Sequence, residues 1–325
     1  MKAIVYRRYG SPDVLQCVET SKPTPADDEV LIKVRAASLN PLDRHIMRGR
    51  PPFLRIAFGL RKPRMRPGRD VAGQVEAVGR KVTQFKPGDE VFGACSGALA
   101  EYVCTRESAL VTKPNNVTFE QAASVPVAGL TALQGLRDKG KIRPGQKVLI
   151  NGAGGGVGTF AVQIAKSFGA DVTGVCSTGK VEMVRSIGAD RVIDYTQQDF
   201  TEGTQRYDLI FDLAATHSLP AYRRVLNPKG TCVIAGGPTK VRAILTSAFE
   251  VLVLSRFVSQ NFVMFVAKLS KEDLTILCEL MAAGKVTPVI DRRYRLTEVP
   301  QAIRYLEEGH ARGKVIITLE DDNKT

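Results

Sequence analysis

The chain has 325 residues, a formal net charge of +13, 44% hydrophobic and 24% charged residues. That length predicts two domains, each able to bury its own core, and the composition excludes a disordered chain. The most apolar region, residues 241–269, is interrupted by Glu250, Arg256 and Lys268. It falls short of the roughly 20 uninterrupted apolar residues of a bilayer span, so no membrane partner is expected and the region is predicted to be buried or oligomer-facing.

Met1 runs directly into an alternating β pattern with no apolar core of a signal peptide, which makes the cytoplasm the expected compartment. Cys17, Cys95, Cys104, Cys176, Cys232 and Cys278 are scattered without close pairs. This argues against a disulfide framework or a thiolate zinc site and predicts buried, reduced thiols.

In chain order, residues 2–6, 29–35, 73–78, 90–92 and 102–105 are β-rich and are separated by Pro and Gly turns. Many short strands with few helices predict a small barrel or sandwich-like β domain. Residues 51–67 carry four prolines and are predicted to form a long loop, of the kind that serves as a lid or binding element. Around it the charge is concentrated: residues 48–69 hold eight Lys or Arg and no acid. Such a patch attracts nucleic acid or an anionic ligand, although basic clusters more often stay solvated surface. Phe53 and Phe58 lie in it without regular aromatic spacing, so support for single-strand stacking is weak.

Thr118 followed by Gln121 is a capping-box pattern and predicts a helix that runs to Pro126. A second helix is predicted from Gly129 to Gln134. The stretch from Lys147 to Lys166 then reads as an apolar strand, a turn containing Gly152, Gly154, Gly155, Gly156 and Gly158, and an amphipathic helix. This arrangement sets a pyrophosphate against helix amides, with glycine admitting the phosphate to the backbone. Val157 stands where the plain G-x-G-x-x-G pattern has its third glycine, so the motif alone also fits a tight turn.

Strands and helices alternate from there: strands at 147–151, 171–176, 191–194, 209–213 and 231–235, helices at 159–168, 180–187 and 219–226. Alternation with short turns predicts a doubly wound parallel sheet. A helix at 271–283, a strand at 289–294, a helix at 298–307 and a last strand at 314–319 follow. That last strand is expected to return to the N-terminal β domain and make it discontinuous, with residues 1–121 and 270–325 flanking an α/β domain of residues 122–269.

Several segments strengthen this reading: Asn40-Pro-Leu-Asp43, Pro67-Gly-Arg-Asp70-Val-Ala-Gly73, Phe85-Lys-Pro-Gly-Asp-Glu-Val-Phe-Gly93, Ala123-Ser-Val-Pro-Val-Ala-Gly-Leu-Thr-Ala132, Gly152–Gly158, Ser186-Ile-Gly-Ala-Asp190 and Gly313-Lys-Val315. With them in this order, the chain resembles the medium-chain dehydrogenase/reductase superfamily, and within it the zinc-independent quinone oxidoreductase and enoyl reductase branch. The resemblance implies an α/β protein with a GroES-like β-barrel domain, a Rossmann domain and an active-site cleft between them. It also implies a homodimer.

The second strand of the Rossmann part ends in Cys176-Ser-Thr-Gly-Lys180, with no acid before Glu182. A carboxylate there would accept from a ribose 2′-OH and repel a 2′-phosphate, so NADPH is expected over NADH. Ser177, Thr178 and Lys180 are the expected phosphate contacts, and Gly154, Gly155, Gly156 and Val157 the pyrophosphate contacts. The plainer alternative has Ser177 capping the helix and Lys180 solvated. The resemblance places Tyr195 beside the adenosine phosphate, Thr131 near the nicotinamide amide, and Gly236 and Gly237 along the far half of the cofactor.

Zinc-dependent relatives carry Cys where this chain has Asn40 and Gly-His-Glu where it has Gly68-Arg69-Asp70, and neither Asn nor Arg is a useful zinc ligand, so no metal is expected. Without a Lewis acid, hydride delivery to a quinone or an α,β-unsaturated carbonyl is the expected chemistry. Asn40 is the candidate to polarise the acceptor oxygen, or else simply fixes the turn before Pro41. His45 stands where a tyrosine is usual in the branch; it is a candidate proton donor, or a partly buried histidine without catalytic duty. Two other readings remain: a broad-range carbonyl or alcohol dehydrogenase, and a cofactor-loaded binding protein that uses the basic loop to contact nucleic acid or a protein.

Overall fold

A computed structural model describes residues 1–235 and 259–319. It divides into two compact units: Met1–Leu130 with Leu269–Gly284 and Pro288–Thr325, and Thr131–Lys268 with Lys285–Thr287. The first break therefore falls after Leu130, later than residue 121. It lies within a helix, Pro126–Gln134, that Pro126 opens where the sequence reading had one end; proline is tolerated at a first turn, whose N–H groups lack helical partners anyway. Lys285–Thr287 joins the second unit because the Gln163 side chain bonds both the backbone N and O of Thr287, at 2.8 and 3.0 Å.

The first unit begins with an antiparallel pair, β1 (Lys2–Val5) and β2 (Gln16–Glu19). Its main sheet is built on β3 (Glu29–Leu39). Helix α1 (Pro41–Arg48), for which no element was predicted, and helix α2 (Leu54–Phe58), inside the segment predicted as a long loop, follow. Then come β4 (Asp70–Val78), β5 (Glu90–Ala94), β6 (Tyr102–Arg106), β7 (Leu110–Thr112), α3 (Phe119–Ala123) and α4 (Pro126–Gln134), whose last four residues belong to the second unit. The expected capping box opens α3: Gln121 N bonds Thr118 Oγ1 at 3.2 Å, and Thr118 N bonds Gln121 Oε1 at 3.0 Å.

The second unit contains β8 (Lys147–Asn151), α5 (Gly156–Ser167), β9 (Asp171–Cys176), α6 (Val181–Ser186), β10 (Arg191–Asp194), β11 (Tyr207–Asp212), α7 (Leu219–Val225), β12 (Leu226–Ile234) and β13 (Asn261–Met264). The six strands are parallel in the order β10-β9-β8-β11-β12-β13. Numbered within the unit this is 3-2-1-4-5-6, the Rossmann order, whose reversal between β8 and β11 is where such sheets receive a dinucleotide. Strand β13 was not anticipated. Much of the apolar region predicted to be buried or oligomer-facing, residues 241–258, lies outside the described residues; of the remainder, Phe262 is buried and Val266 is 89% exposed.

The chain then returns to the first unit through α8 (Lys271–Ala282), β14 (Ile290–Arg295), α9 (Val299–Glu307) and β15 (Lys314–Thr318). Strand β3 is the spine of that sheet: it pairs with β4 along most of its length, with β6 through Glu29–Lys33 and with β15 through Ala36–Leu39. Ile32, Val71, Val91, Leu99, Leu110 and Ile317 are buried in its core. All six cysteines are free; Cys17 is exposed, which departs from the expectation that all are buried.

Candidate active site

In the second unit, β8 ends at Asn151 and the chain turns through Gly152 at φ +91°, a conformation that side chains resist. Gly155 caps α5, which starts at Gly156. A Cβ on Gly158 would lie 2.1 Å from the Gly152 carbonyl oxygen, so the first helical turn packs directly on the glycine turn. A Cβ on Gly155 would meet only that same oxygen, at 3.4 Å, leaving this face open. Gly154, Gly155, Gly156 and Val157 are thus gathered at the start of a helix of 12 residues, where unpaired N–H groups and the helix dipole favour an anion.

The loop after β9 lies against this turn. A Cβ on Gly154 would fall 2.6 Å from Lys180 Cδ, so the lysine stem crosses the glycine backbone. Thr178 is exposed, and its hydroxyl lies 3.0 Å from that of Thr196, which bonds Asp194 at 2.8 Å. The Thr178 hydroxyl also bonds Asp194 and is the largest cause holding that carboxyl below its usual range. Asp194 is therefore a carboxylate close to the expected phosphate contacts. Sequence reading gave this residue no role, although its neighbour Tyr195 was assigned to the adenosine phosphate.

Tyr195 follows it, exposed, with its N–H on Cys176 O at 3.0 Å. Thr131 sits half-buried in α4. Gly236 and Gly237 lie outside the described residues. At the switch point, Asn151 Nδ2 donates to Asp212 Oδ1 at 2.9 Å, and Asp212 also accepts from the N–H groups of Ala214 and Ala215, at 3.2 and 3.0 Å. Asp212 thereby fixes the turn after β11, a role that sequence reading did not assign.

The first unit contains a buried polar cluster. Antiparallel register sets Ser38 opposite Asp70 and Leu39 opposite Val315, so Asn40, Asp70 and Lys314 meet at one end of the sheet. Lys314 Nζ donates to Asn40 Oδ1 at 2.8 Å and lies 3.3 Å from Asp70 Oδ2. Asp70 also accepts from Asn40 Nδ2 and Ser38 Oγ, both at 2.8 Å, and from Val127 N at 3.0 Å. Asn40, Asp70 and Lys314 are all buried. The Asn40 amide is consequently held in one orientation, its oxygen bonded to the ammonium and one of its two N–H groups directed at the carboxylate.

Beside it, Asp43 accepts from Asn40 N at 2.8 Å. Burial pushes the Asp43 carboxyl up to about 7, opposed by that hydrogen bond and reinforced by the charge of Asp70. Burial likewise raises the Cys95 thiol to about 12, leaving it protonated. Arg69, whose charge acts on both groups, has a buried Nε with no hydrogen-bond partner.

His45 is placed differently from a poised acid. Arg44 Nη2, which can only donate, lies 3.2 Å from Nε2, so Nε2 accepts and the ring proton sits on Nδ1, 3.2 Å from the Arg50 carbonyl oxygen. Burial, then the charge of Arg44, lowers its pKa. Both ring nitrogens are engaged and the neutral form is favoured at neutral pH.

A zinc ion does not fit the first unit's cluster: Asn40 and Arg69 are not useful ligands, and the Asp70 carboxylate is already bonded to an ammonium, an amide, a hydroxyl and a backbone N–H. Among the described residues no group of three or more His, Cys, Asp or Glu could hold a metal.

Two family models match the chain: the alcohol dehydrogenase GroES-like domain over residues 26–115, and the zinc-binding dehydrogenase model over residues 187–317. The chain is 36% identical over 335 residues to a chloroplastic quinone oxidoreductase of Triphysaria versicolor, covering 98% of each. It is also 36% identical to a chloroplastic NADPH-dependent alkenal/one oxidoreductase of Arabidopsis thaliana, over 98% of this chain and 79% of the relative. The solved quinone oxidoreductase of Coxiella burnetii superposes with a TM-score of 0.86 at 31% identity, over 98% of this chain and 99% of that one. With this likeness across both units, the chain belongs to the medium-chain dehydrogenase/reductase superfamily, in its zinc-independent quinone oxidoreductase branch.

Proposed function

We propose that the chain reduces quinones or α,β-unsaturated carbonyl compounds with NADPH and without a metal. The observation that carries this reading is the Lys314 ammonium bonded between Asn40 and Asp70. A site so filled cannot hold an alkoxide on a Lewis acid, which disfavours alcohol oxidation and leaves acceptors that are already electrophilic. The names of two relatives, a quinone oxidoreductase and an NADPH-dependent alkenal/one oxidoreductase, support it.

NADPH, when bound, supplies the hydride. The amides of Gly154, Gly156 and Val157 would receive the pyrophosphate, with Gly155, whose N–H is given to the Gly152 carbonyl at 3.1 Å, leaving room for it, and Lys180, Ser177 and Thr178 would receive the 2′-phosphate, with Asp194 opposing it. Tyr195 lies along the adenosine phosphate and Thr131 serves the nicotinamide amide. Asn40, held by Lys314 and Asp70, offers its remaining N–H to the acceptor oxygen, where charge develops as hydride arrives. Because the His45 proton is bonded to Arg50 and its ring favours the neutral form, the resulting enolate or quinol anion takes its proton from water in this reading, not from His45.

A homodimer in the cytoplasm completes the proposal. The free cysteines support a reducing compartment, and sedimentation equilibrium measures the assembly. Function is tested by following NADPH oxidation with 9,10-phenanthrenequinone and with a 2-alkenal, against NADP⁺ reduction with allyl and aliphatic alcohols. Turnover is expected with the first pair and should survive chelators. Alcohol oxidation that chelators abolish and zinc restores would overturn the reading.

A further inference from the structure

We infer that the segment between α1 and β4 is a docking surface for an anionic lipid bilayer. Its backbone is tied down from below. The Tyr6 hydroxyl donates to Met65 O at 2.8 Å, and that of Tyr9 to Gly59 O. Arg55 lies over the Tyr9 ring, 4.7 Å from its centroid, and donates to Gly49 O at 3.1 Å. Arg64 N bonds Phe58 O at 2.8 Å, and Arg66 N bonds Ser96 Oγ at 3.2 Å.

This anchoring turns large apolar side chains outward: Phe53, Ile56 and Leu60 are 46%, 77% and 70% exposed. Arg50, Arg61, Lys62, Arg64 and Arg66 are exposed around them, while Arg48 is neutralised by a bidentate pair with Glu307. No acid occurs in residues 48–69.

The two halves of the patch select the occupant. Arginines and lysine with no ion pair among the described residues complement any polyanion. Nucleic acid, however, gives exposed Ile and Leu nothing to enter, whereas the boundary between lipid headgroups and acyl chains takes apolar side chains below and cations among the phosphates above. An acidic protein would match the charge but would need a complementary apolar pocket. Resting on a bilayer makes no demand for a spanning helix, and none of the described helices is long and apolar enough to cross one. The expectation of no membrane partner rested on the missing span alone. The inference is independent of which acceptor the enzyme reduces.

The test is co-sedimentation of the whole protein with vesicles of phosphatidylcholine alone or mixed with phosphatidylglycerol, with and without added salt. Binding is expected to the mixed vesicles only and to weaken as salt screens the phosphates. Ile56→Glu with Leu60→Glu should lower binding by about tenfold or more, since each places an anion in the interface. Both positions are exposed, so thermal melting should be unchanged and misfolding is separable from lost docking. Arg61→Gln with Lys62→Gln and Arg64→Gln should lower binding comparably. Absence of binding to mixed vesicles would overturn the proposal, as would equal binding to neutral ones. So would binding that Ile56→Glu with Leu60→Glu leaves intact; if the same variant also retains a short duplex DNA, the surface is a nucleic-acid surface instead.

Discussion

The glycine turn of the second unit and the buried cluster of the first both aim polar groups, yet they are assembled in opposite ways. The turn takes its amides from consecutive residues, 152–158, and needs only β8 and α5 to hold them. The cluster takes Asn40, Asp70 and Lys314 from the ends of β3, β4 and β15, which meet only when the sheet has its register. Substitution should therefore act locally at the turn, on ligand affinity, and globally at the cluster, on folding as well as turnover.

Lys314→Met is the most severe test of this contrast. It leaves the fully buried Asp70 carboxylate without its cation, a loss of about 3–5 kcal/mol in comparable buried pairs. A lower urea midpoint at unchanged slope is expected. An unchanged midpoint would show that the cluster is not part of the folding core.

Asp43→Asn tests the same region through pH. The unfolded carboxyl releases its proton near about 3.9, while the folded one holds it to about 7. Between these values the folded state binds more protons, so Asp43 makes stability fall as pH rises through that window. The Asn variant should lose that slope and gain up to a few kcal/mol at pH 8 relative to pH 5. Parallel melting curves of the two proteins across the window would count against a buried, protonated Asp43.

At the turn, Gly158→Ala drives a methyl into the Gly152 carbonyl. It should cost about 1–3 kcal/mol of stability and most of the retained dinucleotide. Fluorescence titration with NADPH reads the second effect; wild-type affinity would mean that the turn does not carry the phosphates.

The smallest changes concern cofactor choice. Lys180→Ala should raise the Michaelis constant for NADPH about tenfold with little effect on NADH, the scale of one charge-assisted hydrogen bond. Asp194→Asn should lower it by a few-fold. Equal responses to both cofactors would remove the 2′-phosphate assignment.

What was legible in the sequence follows the same division. Strands β8, β9 and β10 were read to the residue, because apolar runs bounded by Gly and charged residues carry their own boundaries. The capping box of α3 was readable because its partners are three residues apart. Helix α1 was missed although Asn40 and Pro41 mark its start, because its short amphipathic stretch lies among turn residues. Strand β2 and strand β7 are shorter still and take their form from pairing with β1 and β5.

In the site, Asn40 was picked out alone; its orientation was not readable, since it depends on a lysine that lies far away in sequence. Lys314 entered the sequence reading only as part of a glycine-lysine-valine motif. Asp194 was given no role, although Tyr195 beside it was, because its contact with Thr178 follows from the parallel register that sets Asp194 opposite Cys176.

The triple pairing of β3 sets an order of events during synthesis. Its partners β4 and β6 leave the ribosome early, but the edge at Ala36–Leu39 stays open until β15 emerges. Until then the carboxylate of Asp70 has no ammonium beside it, and a nascent chain stalled before residue 314 exposes an unfinished edge together with an unbalanced internal charge. The second unit, whose strands are contiguous but for its short return segment, can fold while the first is still waiting. Completion of the reductase is thus coupled to translation of its final strand, and a prematurely terminated chain presents chaperones and proteases with one folded half and one that cannot close.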